Sequence, residues 1–173
     1  GFAQCFHPRV NTSILTLGDF PVCDFTGDVA PACVLFWGHN PVLSGPDGET
    51  RFNVIEALDR NPKIIVVDPR RTMLAEKADL WLQIRPGADD ALALAMLNVI
   101  IAERLYDEPF VTQWTHGFDA LTANVRKYTP EWAEPITWIS ADKIRAAARL
   151  FAQSKPAMLE WGCAIEHTPK CVQ

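Results

Sequence analysis

Four short apolar runs recur along the chain, each ending on a glycine or shortly before a charged or glycine-bearing loop: ACVLFWG (32–38), KIIVVD (63–68), DLWLQI (79–84) and AMLEWG (157–162). The first two are almost continuously apolar. Such strands fit best inside a parallel sheet covered on both faces, and that requirement excludes most other architectures. Helical patterns lie between the runs. TRFNVIEALDR places Phe52, Ile55 and Leu58 at helical spacing, and TMLAEKA fills a connection with room for about two turns. A long helix is predicted over 89–105, its acidic first turn favoured by the helix dipole, with Asp89 or Asp90 as a natural N-cap. YDEPFVTQWT and FDALTANVRKY suggest two further short helices. SADKIRAAARLFAQS opens on Ser140 as N-cap and turns Ile144, Ala148, Leu150 and Phe151 inward. Trp114, Trp132 and Trp138 in this helical insert read as core. The alternation predicts an α/β fold: a doubly wound, mostly parallel, Rossmann-like sheet with right-handed crossovers, helices on both faces and a helical insert before the last strand. The expected organisation is an irregular approach segment over 1–31, an α/β domain over 32–162 and a truncated continuation over 163–173.

With 173 residues, about half of them hydrophobic, the chain can bury one domain or slightly more. Its net charge of −5 and pI near 5.3 argue against nucleic acid or an anionic membrane as the main partner. A small anionic ligand stays possible, since it needs only local arginines and backbone N–H groups. The longest apolar stretch, ALALAMLNVIIA (91–102), is interrupted by Asn98 and too short to cross a bilayer, so no direct membrane insertion is expected. The chain opens at Gly1 without Met or a signal-like segment and ends at CAIEHTPKCVQ without a closing element, which predicts a piece of a longer protein. Both a cytoplasmic and a periplasmic location stay open. Its five cysteines (Cys5, Cys23, Cys33, Cys163, Cys171) form no CxxC and no zinc-like pairing. Cys23, Cys33 and Cys163 lie on apolar stretches and read as packing.

In open α/β sheets ligands bind beyond the carboxyl ends of the strands, and three loops leaving such ends are unusual. WGHNPVLSGPDGET offers Gly38 and Gly45 for close backbone approach, and His39, Asn40 and Ser44 as neutral hydrogen-bonding groups; it is not GxGxxG. Read alone, it is a turn rich in Gly and Pro. VVDPRRT puts Asp68 at a strand tip, where an acid commonly takes ribose hydroxyls or base donors, followed by Arg70 and Arg71, suited to phosphate. An internal Asp–Arg pair closing the turn after Pro69 is an equal alternative. RPGADD carries two adjacent acids, one more than capping requires, and whichever is spare could accept paired N–H donors from a purine such as guanine. Three such loops on one edge favour a nucleotide more than any one of them does.

GHNP, then IIVVDPRRT, then A-ADLWLQIRPGADDALALAMLNVIIAERLYD together resemble the molybdopterin oxidoreductases of the dimethyl sulfoxide reductase superfamily, in particular the formate dehydrogenase, thiosulfate/polysulfide reductase and acetylene hydratase branches. The resemblance runs from about Cys5 to about Gly162, with Ala88 standing where the family usually has Thr or Ser. It implies a central α/β domain gripping a molybdopterin guanine dinucleotide, one of a bis-dinucleotide pair around Mo or W. By this resemblance Gly38, Asn40 and Pro41, with His39 among them, match the loop beside the dinucleotide. Asp68 and Arg70 match the strand-end residues near the guanosine, Asp89 the acid expected to hold the guanine, and Trp161 and Gly162 the turn after the fourth strand. Arg85 and Gly87 belong to the same cofactor-facing set. Cys5 falls where the family places its metal ligand, and a thiolate suits molybdenum or tungsten. His7 lies one residue beyond the position of the family's proton-transfer His. His39 and His116, read without the resemblance, are lone histidines.

The resemblance further implies two-electron redox of a small substrate, an iron–sulfur cluster elsewhere in the full-length chain and iron–sulfur electron-transfer subunits as partners. A fragment alone is expected to be inactive. Two other readings stand beside it: an NAD-type nucleotide module without metal, against which the missing GxGxxG counts, and a non-catalytic structural relic within a respiratory assembly.

Overall fold

The computed structural model describes residues 7–19, 25–44 and 49–166. Along the described chain run α1 (His7–Leu17), β1 (Cys33–Trp37), α2 (Pro41–Ser44), α3 (Glu49–Asp59), β2 (Lys63–Val67), α4 (Met73–Lys77) and β3 (Leu80–Leu82). They are followed by α5 (Asp89–Ala102), α6 (Glu108–Trp114), α7 (Phe118–Val125), α8 (Pro130–Thr137), α9 (Ala141–Gln153), β4 (Ala157–Trp161) and α10 (Cys163–Glu166). The four strands form one sheet in the order β3-β2-β1-β4, with every pairing parallel. Cys33 stands opposite Lys63 and Ala157, and Trp37 opposite Val67 and Trp161. The doubly wound α/β architecture is the one the strand pattern requires.

All five residues of β1 are buried, which explains its unbroken apolar run. Alternate residues serve opposite layers. Cys33, Leu35, Trp37, Ile65, Val67 and Leu82 pack with α5, α8 and α9. Val34, Phe36 and Val66 pack with Val42, with Val54 and Ala57 of α3, and with Leu74 and Ala75 of α4. The chain winds outward from β1 through β2 to β3 and then returns past β1 to β4. The winding therefore reverses between β1 and β4, the topological switch point at which such sheets take ligands.

Local chemistry sets the element ends. Thr72 Oγ1 accepts from Ala75 N and starts α4; Ser140 starts α9 by accepting from Lys143 N, as expected. Asp79 clamps the opposite edge of the sheet. It bonds Lys63 Nζ at 2.8 Å and, through its other oxygen, Ile64 N at 2.8 Å, tying the start of β3 to that of β2. The Lys63 hydrogen bond holds the Asp79 carboxyl below the usual carboxylate range despite partial burial, and the same bond raises Lys63. Asn98, the polar break in α5, donates to Val125 O at 2.9 Å and anchors the end of α7.

Several expectations are corrected. The strands are a residue or more shorter than the apolar runs, and α5 ends at Ala102 rather than at 105. The buried face of α3 is Val54 and Ala57, while Phe52 is 70% exposed and Ile55 37%; both spacings are helical, and the layer position selects between them. Neither Asp89 nor Asp90 caps α5: the N-cap is Ala88, without a side-chain bond. The tryptophans of the insert are not core, Trp114 and Trp138 being 76% and 71% exposed. A further helix beyond those expected, α8, is capped by Thr129 ahead of Pro130. Within the approach segment, α1 is a regular helix of eleven residues.

Candidate functional site

Because every strand is parallel, the carboxyl ends of β1–β4 lie on one edge, and the residues that leave them form one rim. At β1 the chain turns at Gly38, whose φ of +59° needs a residue without Cβ; its N–H donates to Val67 O at 2.9 Å, joining this loop to the tip of β2. At β4, Gly162 N donates to Trp37 O. A Cβ on Gly162 would stand 2.6 Å from Gly38 O and 3.0 Å from the His39 Cβ. These two glycines allow the close contact of one loop with the other at the switch point. Trp161, before Gly162, is half-buried against the α5–α9 layer.

His39 Nδ1 lies 2.9 Å from Glu160 Oε1, with both side chains mostly buried, though off the line of a hydrogen bond. Asn40, next in the chain, is buried. Its carbonyl accepts from Leu43 N and Ser44 N and starts α2 at Pro41. Its side-chain Oδ1 is buried without a hydrogen-bond partner among the described residues. Buried polar atoms are nearly always satisfied, so this amide is an acceptor, or in the flipped orientation a donor, that stands out among the described residues.

Asp68 is 4% exposed. Its Oδ1 accepts from Arg70 N at 2.7 Å and lies 3.5 Å from Arg70 Nε, which is the self-closing turn foreseen as the alternative for this motif. No described residue bonds its other oxygen, Oδ2. Trp81 Nε1 donates to the Asp68 carbonyl at 2.9 Å and braces the turn. The Arg70 and Arg71 side chains are largely exposed, Arg71 facing Glu76 at 3.7 Å. Either could swing to an anion, but neither is held ready for one.

At the third loop, Gly87 turns the chain at φ +79°. Asp89 Oδ1 accepts from Trp37 Nε1 at 2.8 Å, so the acid expected to hold a base is bonded to the end of β1. Asp90 bonds Ala91 N within its own helix. The Arg85 guanidinium sits 5.7 Å above the Trp138 ring. A groove of about 630 Å³ opens beside it, with Pro69, Gln83, Pro86, Trp138 and Lys143 among its walls. Asp68 and Asp89 share the carboxyl edge; Trp81, packed with the α3–α4 layer, braces the Asp68 backbone, and Trp37, in the α5–α9 layer, holds the Asp89 carboxylate.

Cys5 lies outside the described residues, as do Cys23 and Cys171; His7 begins α1, its side chain and that of Cys163 likewise undescribed. Cys33 is fully buried in the sheet, and burial, with the Asp79 charge adding to it, pushes its thiol up to about 11. It is packing, as expected. Among the described residues no cluster of three His, Cys, Asp or Glu could hold a metal ion, and no helix is long and apolar enough to cross a membrane. Sequence reasoning missed Trp37, Glu160 and the exposed role of Trp138. Glu160 carried a signal: it is a charge inside an apolar strand run, in register with the fully buried Phe36.

A parallel sheet whose winding reverses beneath a rim of two carboxylates and an amide defines a doubly wound α/β domain. The family model described as molybdopterin oxidoreductase matches residues 27–168, and the chain belongs to that family. It is 45% identical over 164 residues to acetylene hydratase of Syntrophotalea acetylenica, covering 94% of this chain and 22% of the relative. It is 43% identical over 132 residues to formate dehydrogenase H of Escherichia coli, covering 76% and 18%. The solved structure of acetylene hydratase from Pelobacter acetylenicus superposes with a TM-score of 0.90 at 37% identity, over 99% of this chain and 23% of that one. The chain thus spans about a fifth of the length of these relatives.

Proposed function

We infer that the chain is the part of a molybdenum or tungsten oxidoreductase that grips the nucleotide end of a molybdopterin guanine dinucleotide, one of a bis-dinucleotide pair. The observation that carries this is the buried Asn40 amide with no partner, on the same rim as an Asp68 carboxylate with one oxygen uncommitted. A chain selected for stability alone would fill the first, because an unmet buried polar group costs about 1–3 kcal/mol. The donor set fits the group: a carboxylate takes paired N–H or hydroxyl donors, and an amide takes either a donor or an acceptor. Asp89 keeps its second oxygen for the same ligand while Trp37 fixes the first. Arg70 and Arg85, exposed at the margin, supply positive charge for phosphates.

In this reading, Cys5 is the metal ligand, His7 the nearby proton carrier, and an iron–sulfur cluster and electron-transfer subunits belong to the remainder of the protein. The bound metal centre supplies the two-electron chemistry on a small substrate, and this chain orients the dinucleotide. The test is metal analysis of the purified full-length protein together with acid hydrolysis. Mo or W accompanied by guanosine monophosphate supports the reading; a protein isolated without either refutes it.

A second reading has its own support, because the relative covering 94% of the chain is a hydratase by name. Adding water to an alkyne needs no external electron acceptor, whereas formate oxidation does. Incubating the full-length protein with acetylene, and separately with formate and a viologen dye, separates the two: aldehyde without dye reduction selects hydration, and dye reduction selects redox.

A further inference from the structure

We propose that Glu160 is a positioning residue for the rim: it fixes His39 across the switch point and so keeps the Asn40 amide where a nucleotide meets it. This rests on the reading of the rim given above. Glu160 is the one charge in β4, and its register partner on β1, Phe36, is fully buried. On the same strand Met158, two residues earlier and so on the same face, packs into the α3–α4 apolar layer. An apolar side chain suits that place better, since a carboxylate taken from water costs more than a hydrocarbon unless it is paired. The His39 imidazole, 2.9 Å away, is the partner.

The pair spans β1 and β4, where the direction of winding reverses. It sits at the junction where a Cβ on Gly162 would strike the Gly38 carbonyl and the His39 Cβ. His39 immediately precedes Asn40, and the Asn40 carbonyl is already committed to α2. With Gly38 bonded to Val67 on one side and His39 held by Glu160 on the other, the Asn40 side chain has little freedom to turn inward and find a protein partner. Its amide stays unspent. The pair therefore acts on the ligand through Asn40, not by touching it.

The experiment uses the full-length protein carrying its cofactor and compares parent, Glu160→Leu, His39→Ala and the double variant. Two readings are taken: guanosine monophosphate released per chain after extensive washing, and the thermal midpoint of the cofactor-free protein. The expected result is that Glu160→Leu keeps its midpoint while its nucleotide content falls at least fivefold, and that the double variant falls no further than the worse single one. Should Glu160→Leu fail to fold, Glu160→Gln keeps size and polarity but removes the charge, and a loss of nucleotide is expected there too. Parent-like nucleotide content in a folded Glu160 variant, or losses that multiply in the double variant, overturns the proposal while leaving the nucleotide reading intact. A parent that releases no guanosine monophosphate overturns both.

Discussion

Asn40 and Cys33 show how differently two buried side chains of the same sheet are used. Asn40 leaves an amide oxygen without a partner, so Asn40→Leu removes an unmet polar atom. The cofactor-free protein is expected to keep its stability or gain about 1 kcal/mol, while nucleotide retention by the full-length protein falls. Denaturant titration of the apo form and nucleotide content of the loaded form measure the two effects, and a variant that loses stability yet keeps its nucleotide contradicts the role given to the amide. Cys33 shows the opposite use, a thiol spent on packing. Its proton is held in the fold up to about pH 11, above the ordinary thiol value of about 8.5. The native state therefore binds a proton that the unfolded chain has already released between these values, and stability is unchanged below that window and falls as pH rises through it. Comparing the pH dependence of unfolding in the parent and in Cys33→Ala isolates this contribution, because the variant lacks that part of the alkaline slope.

At the scale of elements, two clamps hold the two ends of the sheet. At the carboxyl end, Trp37 Nε1 bonds Asp89 and fixes the first turn of α5 to the tip of β1. Trp37→Phe keeps most of the packing and removes the bond, with an expected cost of about 1–2 kcal/mol and faster amide exchange in the first turn of α5. Unchanged exchange there would show that the bond anchors nothing. At the amino end, Asp79 bonds both Lys63 Nζ and Ile64 N. Its carboxyl is held low chiefly by Lys63, so its contribution is present above the ordinary aspartate value and is lost as pH falls through the lowered one. Asp79→Asn is expected to cost under about 1 kcal/mol at neutral pH, since the site is open to water and screened, and to flatten the acid limb of the stability profile. The same scale explains which elements could be read from sequence. Unbroken apolar strands, the Ser140 cap and the two-turn connection after β2 are local signals and were legible. The buried face of α3 was not, because Phe52–Ile55 and Val54–Ala57 are both helically spaced and only the sheet beneath decides between them.

For the whole molecule, parallel strands alone place all three unusual loops on one edge, so the rim was legible as soon as the fold was. What each loop does there was legible only in part. Asp68 closes its own turn, Asp89 is taken by a tryptophan, and Trp138 stands exposed beneath Arg85 instead of filling the core. Such pairings join residues far apart in sequence, Trp37 to Asp89 and His39 to Glu160, and no local pattern encodes them. In the proposed reading the metal end of the site falls to Cys5, which lies outside the described residues, and to parts of the relatives that this chain does not span. The central claim is that this rim receives the nucleotide end of a molybdopterin dinucleotide, and the most direct test is a crystal structure of the full-length protein purified with its cofactor. The account predicts nucleotide density within hydrogen-bonding distance of the Asn40 amide and the free Asp68 oxygen; density that leaves both side chains facing solvent or protein would contradict it.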